Sequence, residues 1–505
     1  MSNAVAEKSN YWKDMEIDWH PVRSLLGGTR AMRKAGTVYL PREEAESEKS
    51  YRNRLGRSFL YAGLKNAVAE LTSKPFQKPV EVKPGLGPKL SRIEKSTDRL
   101  GTSLTTLFRR ALAEKIAYGK YHILVDSPSD QPTNLAEEEK RDVRPYFVFV
   151  PADAVIGWKT KIIDSREVLV DVRILESTTI DMGSVEQREE RVRRWFIEYD
   201  EQGRNVVTAR WEIYRADAQK NWSLDSSGDN PLKEIPLVVD YANQEAMMVA
   251  RPPLQEIADL NIAHWQSSSD QRNILRFARA PIIWRSGVAA EEKNDTIVVG
   301  AGASFASTVS GATMNFVEHS GSAVEAGAKD LADLENKMRV LALQPLIDSG
   351  NPTATGAALD EARTNCVLKT WVRDAEMAFR RAYEFASKWA DEKIPESWEG
   401  IDVFDEFGLS IRAAEDTRQL TQMRKDREIT RKTFLSEVKR RGLLSDTFDV
   451  DQEIEDLAQE GPDLTDVSSI IAGFRAAAPT QTAAPNTPGP NGPSGPPADP
   501  AQQRA

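Results

Sequence analysis

The sequence contains a single cysteine, Cys366. That excludes an intramolecular disulfide and a thiolate-ligated zinc cluster, and it fits a chain made in a reducing compartment. Histidine is nearly as scarce: His20, His122, His264 and His319 have no second His, and no Cys, at metal-ligand spacing. His122 lies in an apolar run and reads as a structural histidine. Cys366 falls on an apolar helical stripe and reads as a small core residue. No apolar run approaches the ~20 residues of a bilayer crossing. Met1 to Asp18 is polar without an apolar leader, so neither a membrane span nor a secretion signal is expected. Positive charge is not in excess either: 67 Lys and Arg stand against 77 Asp and Glu, a formal net of −10. A surface that grips phosphate backbones throughout would be basic, so contact with nucleic acid must be local or weak.

The motifs of common catalysts are also missing. There is no GxxxxGK[ST] phosphate loop, HExxH or GxSxG. Gly300 to Phe305 begins like a dinucleotide loop but lacks the third glycine and a strand–helix setting. Asp449 to Ile454 begins like a calcium loop but lacks the glycine of the sharp turn, so it reads as a solvated acidic loop. No catalytic residue, cofactor or metal site is assigned. Carboxylates are abundant, so an α+β enzyme with a carboxylate-based site, such as a hydrolase, is the alternative reading.

What is present is a succession of elements. Residues 51–71 read as one helix with Leu55, Phe59, Ala62 and Asn66 on a face, and Lys78 to Leu90 as an exposed connection. A second amphipathic helix spans 103–118 and stops at Gly119; Tyr121 to Asp126 follows as a buried strand. The region 145–240 is strand-rich, since Trp195, Ile197 and Tyr199, then Val207, Ala209, Trp211 and Ile213, alternate at period two. The charge runs Glu137 to Arg144 and Glu186 to Arg194 read as solvated loops or turns. Pro252-Pro253 opens a long helix to about Ala280. Strand-like pieces follow at Ile282 to Trp284, Thr296 to Val299 and Met314 to Glu318, then a helix from Ser322 to Leu343. A Gly, Pro and Asn-rich loop covers 344–357, and a very long helix about 358–391.

The last third is helical. Residues 418–441 hold nine Lys and Arg against three acids, and residues 445–466 hold nine acids and no Lys or Arg. Adjacent blocks of opposite sign neutralise one another or face water. From 476 to 505 the chain has eight prolines and no aromatic residue, a composition that does not build a core.

Several local stretches, in order, carry a resemblance. They are Tyr39-Leu40-Pro41 with Tyr51-Arg52-Asn53-Arg54-Leu55, Gly101-Thr102-Ser103-Leu104 with Gly119 to Pro128, and Ile235-Pro236-Leu237-Val238. Pro252-Pro253-Leu254 with Leu260 to Trp265 and Ser269-Asp270, and Ile429 to Lys432 with Lys439 to Gly442, complete the set. Over about residues 35–450 the chain resembles tailed-bacteriophage portal proteins, a subfamily long catalogued as a domain of unknown function. The resemblance implies an α+β fold with these parts: an N-terminal segment (1–50), wing (51–251), first stem helix (252–280), clip (281–318), second stem helix (319–343), tunnel loop (344–357), long wing helix and following strand (358–410), helical crown (411–475) and Pro-rich tail (476–505). It further implies a homo-oligomeric ring of about twelve subunits at one capsid vertex. Double-stranded DNA passes through the ring on packaging and ejection. Its partners are the terminase motor, a head-completion adaptor and the major capsid or scaffolding protein. The location is the virion, assembled in the host cytoplasm, with no enzyme activity of its own. Asp259, Asn261 and Asp270, with Asn351, Thr353 and Thr355, are the candidate channel residues. Trp284, Arg285, Glu291, Glu292 and Lys293 are the candidates for motor docking. A scaffold protein recruiting partners through its Pro-rich tail is a third reading.

Overall fold

The computed structural model of the chain describes residues 2–128, 137, 140–181, 183, 186–203, 205–217, 219–278, 282–288, 307, 309–317, 321–342, 354–405, 413–440, 443–445 and 448–459. The chain is α+β and divides into two units, Met1–Gly408 and Leu409–Ala505.

The helix expected at 103–118 is the centre of the first unit. It runs Leu104–Tyr118, with the Ser103 hydroxyl accepting from the Thr106 N–H at its start. Leu104, Leu107, Phe108, Leu112 and Ile116 are all buried. Gly119 ends it at φ 87°, and a Cβ there would collide with the Arg251 carbonyl, so glycine meets both demands. The next strand, Lys120–Asp126, is buried almost throughout because it is the middle of a three-stranded antiparallel sheet. Tyr146–Val150 flanks it on one side and Leu237–Tyr241 on the other. A 37-residue helix, Ala354–Ala390, packs on this sheet and on the 104–118 helix. The Phe108 and Phe379 rings stack at 4.6 Å. The buried Lys115 ammonium donates to both Asp240 oxygens at 2.8 and 2.9 Å and to the Trp371 carbonyl at 3.0 Å, joining helix, sheet and long helix.

A second core lies between this sheet and a five-stranded antiparallel meander. It brings Leu124, Val150 and Leu237 together with Val155, Val172, Trp195 and Ile197. In order, the meander strands are Val155–Ile163, Arg166–Asp181, Glu186–Tyr199, Val206–Ala216 and Trp222–Asp229. The Glu186 to Arg194 run is therefore strand, not loop. Its charges are matched on the neighbouring strand, Arg191 and Arg193 to Glu176 at 2.6 and 2.9 Å and Arg194 to Asp171 at 2.6 Å, and Arg193 also reaches Asp126 of the three-stranded sheet at 2.7 Å. Opposite charges on neighbouring strands stabilise a sheet, which a reading of one segment in isolation misses.

The region expected to be one helix over 51–71 is two, Glu48–Arg57 and Gly63–Ser73. Ser58 turns to extended backbone, and the Arg33 guanidinium captures its carbonyl at 2.8 Å. Phe59 and Asn66 face out, and the buried stripe is Leu64, Ala67, Val68 and Leu71. Lys78 to Leu90 is more than an exposed connection. Glu81–Val82 pairs with Ile401–Asp402, and Glu392 accepts from the Lys89 and Leu90 N–H groups at 3.1 and 3.2 Å. The polar N-terminus forms helices Asn10–Leu26 and Gly28–Ala35. Trp12 and Trp19 are buried, and their indole N–H groups donate to the Asp153 and Tyr118 carbonyls at 2.9 and 3.0 Å. His122 is a buried structural histidine, its Nδ1 3.3 Å from the Val150 carbonyl oxygen, and burial holds its pKa well below the ordinary value.

The second unit holds three described helices, Ala413–Lys425, Arg431–Arg440 and Val450–Gln459. Lys432 of the basic block pairs with Asp451 of the acidic block at 2.7 Å. Asp449 accepts from the Asp451 and Gln452 N–H groups at 2.9 and 3.1 Å and caps the last helix. Among the described residues no helix is long and apolar enough to cross a membrane. The expected strand Thr296 to Val299 and the tail 476–505 lie outside the described residues, as does the side chain of Cys366.

Candidate functional site

Between the meander and the long helix, the chain makes an arm. Helix α1 of the arm is Gln255–Ala278, the strands are Ile282–Ser286 (β1) and Thr313–Val317 (β2), and helix α2 is Gly321–Leu341. The two strands pair antiparallel from Ile282 opposite Val317 to Ser286 opposite Thr313. The expected pieces at 282–284 and 314–318 are thus one ribbon.

Burial on the arm is unequal. Leu254, Ile257, Ala258, Asn261, His264, Trp265, Ser269 and Gln271 are buried on the α1 side, while on α2 only Met338 is, followed by Ala342. Most other described positions of α2 are exposed. The helices are fastened by polar rungs. His264 Nε2 lies 3.1 Å from Glu335, the Ser267 hydroxyl donates to Asp330 at 2.7 Å, and the Gln271 amide donates to the Val324 carbonyl at 2.7 Å. Each step up one helix is a step down the other, so the pair is antiparallel. Gly327 leaves the space that Gln271 fills; a Cβ there would collide with it.

Asp259 and Asp270 are both exposed. Eleven residues apart, at about 100° per residue they lie about 20° apart around the helix. Arg54 approaches Asp270 at 3.5 Å. Burial pushes the Asp270 carboxyl up, Arg54 opposes it, and Glu43 and Glu46 add to the rise. Burial likewise pushes up the Asp18 carboxyl; Arg251 opposes, and Asp259 and Glu245 reinforce. Asn261 points the other way. It is buried, accepts from the Leu64 N–H at 3.0 Å and donates to the Tyr61 carbonyl at 2.9 Å, tying the arm to the entry of the 63–73 helix. Its two polar groups are thereby used inside the chain. The same spacing rule would have separated it from the aspartates, since two residues from Asp259 is about 160° around the helix.

Trp284 is 59% exposed on the ribbon, opposite Asn315, and Arg285 follows it opposite Met314. Glu291, Glu292 and Lys293, and Asn351 and Thr353, lie outside the described residues. Thr355 falls within the long helix, which begins at Ala354 rather than 358, so the last four residues of the expected 344–357 loop are helical.

The rung residues Ser267, Gln271, Asp330 and Glu335 carried no signal in the sequence, being ordinary polar residues on solvated-looking faces. The short stretches singled out earlier do converge on this helix. The Tyr39 carbonyl accepts from Gln266 at 3.0 Å, and Ser58 shares a 2.9 Å hydrogen bond with Ser269. Arg54, itself buried, holds the Pro41 carbonyl at 2.8 Å and Glu46 at 2.8 Å beside Asp270. Elsewhere, Glu114 and Glu376 are the carboxyls burial pushes highest, each to about 7. Each accepts a main-chain N–H, from Ala152 at 2.9 Å and Val403 at 3.0 Å. Among the described residues, no group of three or more His, Cys, Asp or Glu suits a metal ion.

A family model described as a domain of unknown function (DUF4055) matches residues 253–390. Its bounds follow the arm and the long helix. No curated protein matches the chain in sequence. Among solved structures, the chain is similar to one in the virion of a native gene transfer agent particle, at 11% identity and a TM-score of 0.42, over 81% of this chain and 98% of that one. It is similar to chains of that particle's neck in the empty state computed with C6 symmetry (10% identity, TM-score 0.42) and in the native state computed with C12 symmetry (10%, 0.39), each over 74% of this chain and 88% of the other.

Proposed function

We propose that this chain is the portal subunit of a tailed-phage-like particle, a non-enzymatic ring that conducts double-stranded DNA and docks the packaging motor and head-completion adaptor. The arm carries the reading. The second helix of the pair is exposed over most of its length, and with the two-stranded ribbon it leaves a long surface for neighbours to cover. Copies of itself around a ring supply them. The order of parts agrees: an α/β body, helix, ribbon, helix, a link at 343–353, a long core helix and a helical unit. The family match spans the same run, 253–390.

In this reading residues 51–251 form the wing, 252–280 and 319–343 the stem, 281–318 the clip, 344–357 the tunnel region, 358–410 the long wing helix and its strand, and 411–475 the crown. Asp259 and Asp270 face the channel, and Trp284 and Arg285 belong to the docking surface. About twelve copies at −10 each give the ring a formal charge of about −120. An acidic conduit neutralises few phosphates and releases few counterions, so DNA slides rather than sticks. The absent phosphate loop is consistent with a separate terminase motor that hydrolyses the nucleotide. Capsid or scaffolding protein seats the ring, in a virion assembled in the host cytoplasm.

Light scattering on the purified chain, followed by negative-stain imaging of the peak, tests this. Closed rings with a central hole, at about twelve subunits or a neighbouring number, are the expected result. A chain that stays monomeric at every concentration, with and without its capsid proteins, overturns the reading.

A further inference from the structure

We propose that the cleft between the N-terminal segment and the five-stranded meander docks an acidic, partly aliphatic peptide segment of a partner protein. The cleft has a volume of about 990 Å³ and is walled by residues 4–10 on one side and by the meander on the other. That is near the upper end of ligand-sized pockets, about 300–1,000 Å³.

Its charge is unlike that of its surroundings. Lys8, Lys159 and Arg173 share its walls, and among the described residues none of the three is in an ion pair. The Lys8 ammonium lies 3.5 Å from the centre of the Trp12 ring. Arg173 Nη1 donates to the Ala4 and Val5 carbonyls at 2.7 and 3.0 Å. Asp171 and, more weakly, Glu7 act on Arg173 at a distance, while Asp171 is itself held by Arg194 at 2.6 Å. At the cleft Arg194 faces Asp171, and elsewhere on the same sheet Arg191, Arg193 and Arg215 each face a carboxylate. In a chain of net −10, Lys8 and Lys159, with no carboxylate paired to either among the described residues, together with Arg173 beside them, attract an anionic partner to the cleft.

The apolar wall decides what kind. Val5 and Trp222 are buried together, and Leu224 is 52% exposed at the rim. Trp158 has Tyr11 stacked on it at 6.0 Å and the Lys120 ammonium 5.2 Å from its ring centre. Stacking of nucleic-acid bases needs an open aromatic face; here the Trp158 ring has Tyr11 and Lys120 on it, Trp222 is buried, and Tyr214 packs against the Val5 and Trp222 cluster. Aliphatic side chains between carboxylates fit what is left. The proposal does not depend on the ring reading.

The test is fluorescence anisotropy with the full chain and a fluorescein-labelled peptide of alternating Glu and Leu. An oligothymidylate of equal charge runs in parallel. Saturable peptide binding is expected, weakened about tenfold or more by Lys8→Glu with Lys159→Glu, and weakened also by Leu224→Ser, which leaves charge unchanged. Lys49→Glu with Lys65→Glu, elsewhere on the surface, is expected to bind as the parent does, and thermal melts check that every variant is folded. Absence of saturable binding, equal loss in the control pair, or oligothymidylate binding as tightly and lost in the same variants each overturns the proposal.

Discussion

Two ionisable residues, half-buried Glu114 and fully buried Lys120, sit under the N-terminal helix with opposite demands. Burial pushes the Glu114 carboxyl up to about 7, against an ordinary 4.5. Burial pulls the Lys120 ammonium down to about 7 from 10.5, although its contact with the Met248 carbonyl and the Trp19 and Trp158 rings favours the charged form. For Glu114 the folded pKa is the higher one, so its stabilisation is full below about 4.5 and is lost as pH rises to about 7. For Lys120 the folded pKa is the lower one, so stabilisation is full above about 10.5 and is lost as pH falls to about 7. The two effects bottom out together near neutrality. Glu114→Gln keeps an oxygen for the Ala152 N–H and is expected to flatten the stability profile on the acid side. Lys120→Met flattens the alkaline side. The upper limit of the gain at pH 7 is about 3 kcal/mol for Glu114→Gln and about 4 kcal/mol for Lys120→Met, at about 1.4 kcal/mol per pKa unit. Urea titrations of parent and variants from pH 5 to 9 check this, and profiles parallel to the parent's would refute it.

At the level of elements, periodicity made much of the chain legible. The helices at 104–118 and 255–278, the ribbon strands and the alternating 195–199 strand sit where their apolar spacing and Gly and Pro punctuation put them. What failed depends on partners remote in sequence. The 186–194 charges became a strand because Asp126, Asp171 and Glu176 lie across from them. The 51–71 helix broke because Arg33 takes the Ser58 carbonyl. Asn261 was misjudged for a different reason: its face was readable from the helical repeat, yet polarity was taken for exposure. The arm's rungs were illegible, since only two packed helices reveal that Gly327 makes room for Gln271. Gly327→Val is therefore expected to push the Gln271 amide aside and break its bond to Val324, at a cost of about 1 kcal/mol for the lost hydrogen bond. Gly321→Ala, where a Cβ meets nothing, is expected to be neutral. Hydrogen exchange should quicken within 321–342 in the valine variant, with the 120–126 amides unchanged. Equal exchange in the two variants would count against the rung.

On the scale of the whole molecule, folding and the proposed conduction draw on different residues. The arm's second helix is anchored by Met338 and Ala342, and the described core residues of the long helix begin at Leu368. Residues 343–353, which lie outside the described residues, join these two ends in sequence. Replacing 344–353 by a Gly/Ser run of equal length keeps the described core on both sides, Met338 and Ala342 before it and Leu368 onward after it, and in the portal reading ring closure is expected to survive. In the portal reading the same segment lies where the channel meets DNA, so packaging or retention of DNA is expected to fall while ring mass and appearance stay those of the parent. The two readouts separate the possibilities. Loss of rings would make the segment part of the assembly contact and remove it from the channel. Unimpaired packaging in particles built on variant rings would leave the acidic stripe of Asp259 and Asp270 as the part of the arm that DNA passes. Charge reversal at those two positions, Asp259→Lys with Asp270→Lys, would then be expected to slow packaging most at low salt, where phosphate attraction is least screened.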